Sequence, residues 1–256
     1  MRMVEDINYA ELKIIVLAAG KGTRITAGDR DAPKVMRQAN GKPMLWYVLD
    51  ALPSLEKEDV VIVVGYKKDD VIDYFDGYTY AEQKEQLGTG HAVMAAREAF
   101  EGFDGTVLVC YGDMPLVRSS TYEAFLREHN EQGNDCTILT GESSVTMSFG
   151  RILRGADGGF LCVREERDCT PEELKITELN SGVYVFHAPK LFATLKKLKN
   201  NNSQGEYYLT DVPAIMRDEG AKVGLCKLDL GEEIIGVNTL EQLAQVEDIL
   251  KQREAT

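Results

Sequence analysis

Three unbroken apolar runs punctuate the first half of the chain. Ile14-Ile15-Val16-Leu17-Ala18-Ala19 stops at Gly20. Val60-Val61-Ile62-Val63-Val64 stops at Gly65, and Val107-Leu108-Val109-Cys110 stops at Tyr111-Gly112-Asp113. A strand buried on both faces has no polar side, so such runs predict strands of a largely parallel sheet. The spacing between them predicts helices over about 43–52, 69–75 and 91–100. Strands alternating with helices predict an α/β, doubly wound, Rossmann-like fold.

The pattern changes in the second half. Arg151-Ile152-Leu153-Arg154 and Phe160-Leu161-Cys162-Val163 flank Gly155-Ala156-Asp157-Gly158-Gly159, which reads as a hairpin. Ser181-Gly182-Val183-Tyr184-Val185-Phe186 is a further strand. The sheet is therefore expected to be mixed, with a small antiparallel β subregion. Thr239 is the expected N-cap of a last helix, with Gln242 at the capping-box position. Leu240, Leu243, Val246 and Leu250 form its apolar stripe.

Bulk composition excludes several classes. The 256 residues are 44% hydrophobic and 28% charged, a globular balance, with net charge −13. A nucleic-acid binder would need a basic face, and an acidic chain is repelled by anionic membranes. An acidic protein that handles anionic substrates must concentrate Lys, Arg or a metal ion locally. Cys110, Cys136, Cys162, Cys169 and Cys226 form no C-x-x-C pair, and His91, His129 and His187 do not join them in a zinc pattern. Most of these cysteines are expected to be reduced core residues. The charged segment 1–11 does not read as a signal peptide, and no run is long enough to span a bilayer, so a cytoplasmic location is expected.

Four segments carry candidate chemistry. Leu17-Ala18-Ala19-Gly20-Lys21-Gly22-Thr23-Arg24 is a glycine-rich turn leaving a strand. It can bring backbone N–H groups and two cations to a phosphate. Ile25 stands where a dinucleotide fingerprint needs its third glycine, and Lys21 is too early for a Walker A lysine. An ordinary glycine turn with solvated lysines fits the same residues. Asp113, after a buried strand, lies where α/β sheets bind ligands, and its carboxylate suits Mg²⁺. A turn-capping role before Pro115 fits equally well. Gln86-Leu87-Gly88-Thr89-Gly90-His91 could pack exposed backbone against a base, although a plain Thr89 N-cap fits the spacing better. Asn238 could offer an oxygen to a hard cation, or simply cap the last helix. No G-x-S-x-G elbow is present.

Taken as an ordered set, these segments resemble a known family. The chain is similar to the uridylyltransferase domain of the bifunctional N-acetylglucosamine-1-phosphate uridylyltransferase/glucosamine-1-phosphate acetyltransferases. The resemblance runs from about residue 14 to the last helix. It rests on Leu17 to Arg24, Pro33-Lys34-Val35, Gly41-Lys42-Pro43-Met44, Gln86 to His91 and Tyr111-Gly112-Asp113-Met114-Pro115-Leu116. Phe149-Gly150-Arg151-Ile152, Glu178-Leu179-Asn180-Ser181-Gly182, Gly205-Glu206-Tyr207-Tyr208-Leu209-Thr210-Asp211 and Gly236-Val237-Asn238 complete it.

The resemblance implies a Mg²⁺-dependent nucleotidyltransferase joining UTP and N-acetylglucosamine 1-phosphate. It assigns catalysis to Arg24, Lys34 and Asp113. It assigns the nucleotide to Leu17, Ala18, Ala19, Gly20, Lys34, Gln83, Gly88, Thr89, Tyr111 and Gly112. The sugar phosphate falls to Gly150, Glu165, Asn180, Tyr208, Thr210 and Asn238, and the metal to Asp113 and Asn238. The antiparallel subregion would cover the sugar site. The chain then reads as one nucleotidyltransferase domain over 1–256: an N-terminal extension over 1–12, a nucleotide-binding half over about 13–118, a sugar-phosphate half over about 119–238, and a C-terminal helix over 239–256.

Several departures accompany the resemblance. The loop from Arg24 to Lys34 is longer than usual, Ser181 replaces a Thr, and Arg167 replaces a Lys, keeping the charge but changing its shape. The hexapeptide repeats of the acetyltransferase half are absent, so a monomer is expected. Small-molecule substrates are the expected partners, with no nucleic acid and no membrane. Cytidylyl-, guanylyl- or glucose-1-phosphate transfer, and a non-catalytic nucleotide-sugar sensor, are the alternatives.

Overall fold

A computed structural model of the chain describes residues 7–22, 32–143 and 149–255. Its framework is a mixed sheet. The strands are β1 (Leu12–Leu17), β2 (Gln38–Ala39), β3 (Lys42–Pro43), β4 (Val60–Val64), β5 (Thr79–Glu82), β6 (Thr106–Tyr111), β7 (Cys136–Glu142), β8 (Arg151–Arg154), β9 (Phe160–Arg164), β10 (Glu178–His187) and β11 (Val223–Lys227). The main order is β11-β7-β10-β6-β1-β4-β5. The half built from β6-β1-β4-β5 is parallel throughout. Strand β10 enters antiparallel to both β6 and β7. Strands β8 and β9 form the expected hairpin around Gly155–Gly159 and join the sheet through β10. Strands β2 and β3 form a separate two-stranded ribbon.

The apolar runs are strands for the reason their sequence suggests. Ile14 and Val16 feed one core while Ile15 and Leu17 feed the other. Val60, Ile62 and Val64 alternate with Val61 and Val63 in the same way. Period-two alternation therefore has apolar layers on both sides, as a doubly wound sheet requires.

The helices are α1 (Met44–Ala51), α2 (Lys68–Ile72), α3 (Thr89–Ala95), α4 (Ser119–Gln132), α5 (Ala188–Leu195), α6 (Val212–Asp218) and α7 (Leu240–Glu254). The expectation of one helix over 91–100 is corrected: α3 ends at Ala95 and a 3₁₀ turn covers Arg97–Phe100. The Thr239 capping box on α7 forms in full. Its stripe is narrower than expected. Val246 and Leu250 are buried and Leu243 is partly covered, but Leu240 stays exposed. Val246 and Leu250 join Met44, Tyr47, Leu116 and Val237 in a third, smaller core. That core fixes the segment before α7 against the end of the sheet.

All five cysteines are free thiols. Cys110, Cys136 and Cys226 are buried as expected, whereas Cys162 and Cys169 are partly exposed. Among the described residues, no helix is long and apolar enough to cross a membrane.

Candidate active site

The C-terminal ends of β1, β4 and β6 form one rim. Backbone hydrogen bonds lock it: Ala18 N–H donates to Val63 O at 2.9 Å, Tyr66 N–H to Ala19 O at 3.2 Å, and Gly112 N–H to Leu17 O at 2.9 Å. Beyond the rim the chain turns at Gly20, whose missing side chain faces open space. The rim opens into a cleft of about 230 Å³. Leu17, Ala19, Gly20, Lys34, Gln83, Gly88, Thr89, Tyr111 and Asp113 all line it, together with Val35, Gln86, Ala92 and Glu206. Ala18 and Gly112 are buried and do not line it. Arg24 lies outside the described residues.

The far wall is the turn into α3. Gly88 caps the helix with φ +110°, and a Cβ there would stand 2.6 Å from Tyr207 O. Only glycine meets both demands. Thr89 is not the cap; it is the first residue of the helix, and its hydroxyl accepts a hydrogen bond from Leu209 N–H at 2.9 Å. Gly90 N–H donates to Tyr207 O, and Tyr207 N–H to Leu87 O, each at 2.8 Å. These contacts staple the 206–209 loop onto the α3 turn, joining two segments more than a hundred residues apart. The buried Gln83 side chain closes this wall, donating from Nε2 to Gly88 O at 3.0 Å.

On the opposite side, three side chains converge. The Lys34 ammonium is held by the Asp113 carboxylate and donates to Asn238 Oδ1 at 2.9 Å. Val237 N–H donates to Asp113 O at 3.0 Å, which draws the Asn238 loop to the end of β6. Asp113 therefore engages a cation instead of capping the turn before Pro115. Asn238 likewise does not cap α7; Thr239 does so.

The Asp113–Asn238 pair also fits Mg²⁺. Both groups are hard oxygen donors, and both reach one point that a cationic nitrogen now fills. Among the described residues no cluster of three or more His, Cys, Asp or Glu side chains could hold a metal. Mg²⁺ needs only one or two protein oxygens when substrate phosphates and water complete its shell.

Gly150, Glu165, Asn180, Tyr208 and Thr210 lie beside the cleft, not in its wall. Asn180 sits at a β-bulge in β10, between Asn180 and Tyr184. The bulge frees backbone groups, and side chains take them up. Gly182 N–H donates to Asn180 Oδ1 at 3.1 Å, and Val183 N–H donates to Ser181 Oγ at 3.2 Å. The Ser181 hydroxyl in turn donates to Leu139 O at 2.8 Å. A hydroxyl is what this position needs, so serine in place of threonine changes little. Asn180 Nδ2 donates to Tyr184 Oη at 2.6 Å, and Asn180 N–H to Gly150 O at 2.9 Å. The buried Thr210 hydroxyl donates to Glu165 Oε1 at 2.9 Å.

Burial raises the Glu165 carboxyl above its usual range, the Thr210 hydrogen bond opposes this, and Asp211, Asp168 and Glu206 add to it. Burial also raises the Tyr111 phenol, helped by the negative charge of Glu165. Among the described residues, carboxylates gather around Glu165, whereas the cleft wall carries the Lys34 ammonium and Lys21 Nζ lies 5.0 Å from the Tyr66 ring centroid.

Some participants lie within or beside the family segments yet have no role assigned by the resemblance. Glu206 and Gln86 enter the cleft because their loops cross it. Asp168 accepts from Ser203 N–H at 3.0 Å and from Tyr208 Oη at 3.3 Å, and Arg167 donates to Gln204 Oε1 at 2.9 Å. Together they tie the turn after β9 to the 202–208 loop. Arg167, which stands where the family has Lys, and Tyr208, within the Gly205–Asp211 segment, are the sequence features that fall on this tie.

The MobA-like NTP transferase domain family matches residues 14–213, which contain the glycine turn, Lys34, Asp113 and the stapled loops. The chain belongs to this family. It is 44% identical over 241 residues to the bifunctional protein GlmU of Clostridium novyi, covering 93% of this chain and 52% of that protein. It is 43% identical over 244 residues to the bifunctional protein GlmU of Alkaliphilus metalliredigens, covering 95% of this chain and 53% of that one. The chain therefore spans about half the length of the curated relatives it matches. A structure of UDP-glucose pyrophosphorylase complexed with UDP-glucose superposes with a TM-score of 0.75 at 18% identity, over 94% of this chain and 98% of that one. At that identity the likeness establishes the fold alone.

Proposed function

We propose that the protein is a sugar-1-phosphate nucleotidyltransferase that joins UTP to N-acetylglucosamine 1-phosphate and releases pyrophosphate. The observation that carries the reading is the meeting of Lys34, Asp113 and Asn238 at the mouth of a cleft walled by the Gly20 turn and the Gln83–Gly88 turn. Likeness to the bifunctional proteins over about half of their length supports it.

In this mechanism an oxygen of the sugar phosphate attacks the α-phosphorus of UTP in line. The new P–O bond forms as the bond to the β-phosphate oxygen breaks, and the electron pair leaves with pyrophosphate. The nucleophile is already an anion at neutral pH, so the protein need only position and neutralise charge. Backbone at Ala18, Ala19 and Gly20 holds the nucleotide, with Leu17, Tyr111 and Gly112 shaping the floor. Gln83, Gly88 and Thr89 take the base. Lys34 and Arg24 meet the charge growing on the leaving group. Asp113 and Asn238 would hold Mg²⁺, which when bound would screen the repulsion between the two phosphates. Gly150, Glu165, Asn180, Tyr208 and Thr210 surround the sugar. Residues about 13–118 and 119–238 act as the two halves of one unit working in the cytoplasm.

The test is pyrophosphate release from UTP and Mg²⁺ with a panel of sugar 1-phosphates. N-acetylglucosamine 1-phosphate should exceed glucose 1-phosphate in kcat/KM by about tenfold or more, because unpaired buried polar groups cost roughly 1–3 kcal/mol each. Asn180→Ala should shrink that ratio. Equal use of the two sugars would refute the assignment.

A further inference from the structure

We infer that His91 is a positioning residue that sets which base the cleft accepts, by fixing the side-chain amide of Gln83 as a pure hydrogen-bond acceptor. The inference rests on the nucleotide-binding role proposed for this cleft.

The argument begins with an atom that cannot be mistaken. Gly88 O carries no hydrogen, so the Gln83 side-chain atom 3.0 Å from it must be the amide nitrogen. The same nitrogen lies 3.1 Å from His91 Nδ1. An amide nitrogen has two hydrogens and no acceptor capacity. Its first hydrogen goes to Gly88 O, and its second can go only to an unprotonated Nδ1. His91 is then the tautomer with its hydrogen on Nε2. The Tyr207 ring lies beside it, with centroids 6.4 Å apart and the planes at 32°.

Both donors of Gln83 are thereby consumed inside the protein. The side chain is buried yet lines the cleft, and Oε1 makes no hydrogen bond among the described residues. The one polar atom of this side chain left to meet a ligand is therefore an acceptor. A pyrimidine that carries a hydrogen on N3, as uracil and thymine do, can donate to it. Cytosine offers a lone pair at N3 and meets repulsion. To accept cytosine the amide would have to flip, which breaks the bond to Gly88, sets Oε1 against that carbonyl oxygen, and forces the His91 hydrogen from Nε2 to Nδ1. Gly88 O resists this flip with one bond; His91 adds the cost of moving its ring hydrogen. Specificity of this kind comes from penalising the wrong ligand as much as from rewarding the right one.

The test is equilibrium binding of UTP and of CTP by calorimetry, with Mg²⁺ and no sugar phosphate, so that no turnover is needed. Wild type should bind UTP more tightly. His91→Phe keeps a ring against Tyr207 but has no acceptor, and should lower the ratio Kd(CTP)/Kd(UTP) by about tenfold, the worth of one hydrogen bond on a buried amide. His91→Asn places an amide oxygen near the position of Nδ1 and should keep the ratio within about threefold of wild type. A residue with only a structural role would weaken both nucleotides alike. Nitrogen-15 NMR of wild type, with the ring neutral, should show the hydrogen of His91 on Nε2, a readout that needs no variant to fold. An unchanged ratio in His91→Phe, or a hydrogen on Nδ1, overturns the inference. If the base preference behaves as described but no sugar 1-phosphate is converted, the proposed reaction fails and the role of His91 stands.

Discussion

Lys34 and Asn238, 204 positions apart in the chain, meet at 2.9 Å through a hydrogen bond from the Lys34 ammonium to the Asn238 amide oxygen. The Asp113 carboxylate holds the same ammonium. A cation therefore already fills the point at which two oxygen donors converge. In the proposed reaction Mg²⁺ would take this point, and Lys34 would turn from these oxygens to the phosphates.

Substituting Asp113 tests the metal role. Asp113→Ala should lower kcat by roughly 10²–10³, the usual cost of losing one preorganised electrostatic group. The fold should survive, because Asp113 is only half-buried and its backbone carbonyl still accepts from Val237 N–H. Excess EDTA should abolish wild-type turnover. Undiminished pyrophosphate release in EDTA would refute a metal at Asp113 and Asn238.

Lys34→Ala, and Arg24→Ala with it, should depress kcat more than they weaken binding of the sugar phosphate. Charge moves on the triphosphate during reaction, and groups that meet it there act on the transition state. Steady-state kinetics compared with direct binding of the sugar phosphate separates the two effects. Wild-type kcat in Lys34→Ala would pass the role to another basic residue of the 21–34 segment, such as Lys21 or Arg30.

Glu165 gives a stability prediction with a definite sign. Its carboxyl is raised above 4.5, first by burial. Between 4.5 and the raised value the folded chain binds more protons than the unfolded one, so stability falls as pH climbs through that window. At neutral pH the ionised carboxylate weighs against the fold. Glu165→Gln keeps an acceptor for the Thr210 hydroxyl and removes the charge. It should melt at a higher temperature than wild type near pH 7, and the gap should narrow in acid. Thermal melts across pH check this, while activity in the variant should fall.

His129 supplies the opposite slope. Burial pulls it from 6.5 down to about 4, and its Nδ1 lies 2.7 Å from Thr137 Oγ1. Between these values the unfolded chain takes up a proton that the folded chain refuses, so stability falls as pH drops through the window. His129→Gln should flatten this part of the profile. Urea unfolding at several pH values from 6.5 down to 4 measures it.

Much of this molecule is legible along the chain because its signals are local. An apolar run without polar interruptions is how a doubly buried strand must read, and β1, β4 and β6 lie where such runs stand. The Thr239 capping box involves atoms only three residues apart, so spacing alone determines it. The glycine turn and Asp113 follow buried strands directly, and strand ends are where α/β sheets open. What the sequence could not decide is what depends on distant segments meeting. Thr89 has the local chemistry of an N-cap, yet Leu209 N–H claims its hydroxyl. Asn238 has the chemistry of a cap as well, yet the bond from Val237 to the end of β6 carries it to Lys34. The bulge at 181–183 and the His91–Gln83 contact are likewise invisible to spacing, since each forms only after strands pair and the cleft closes. Local propensity sets which elements form; the free energy of satisfying buried polar groups across the fold decides which partner each side chain takes.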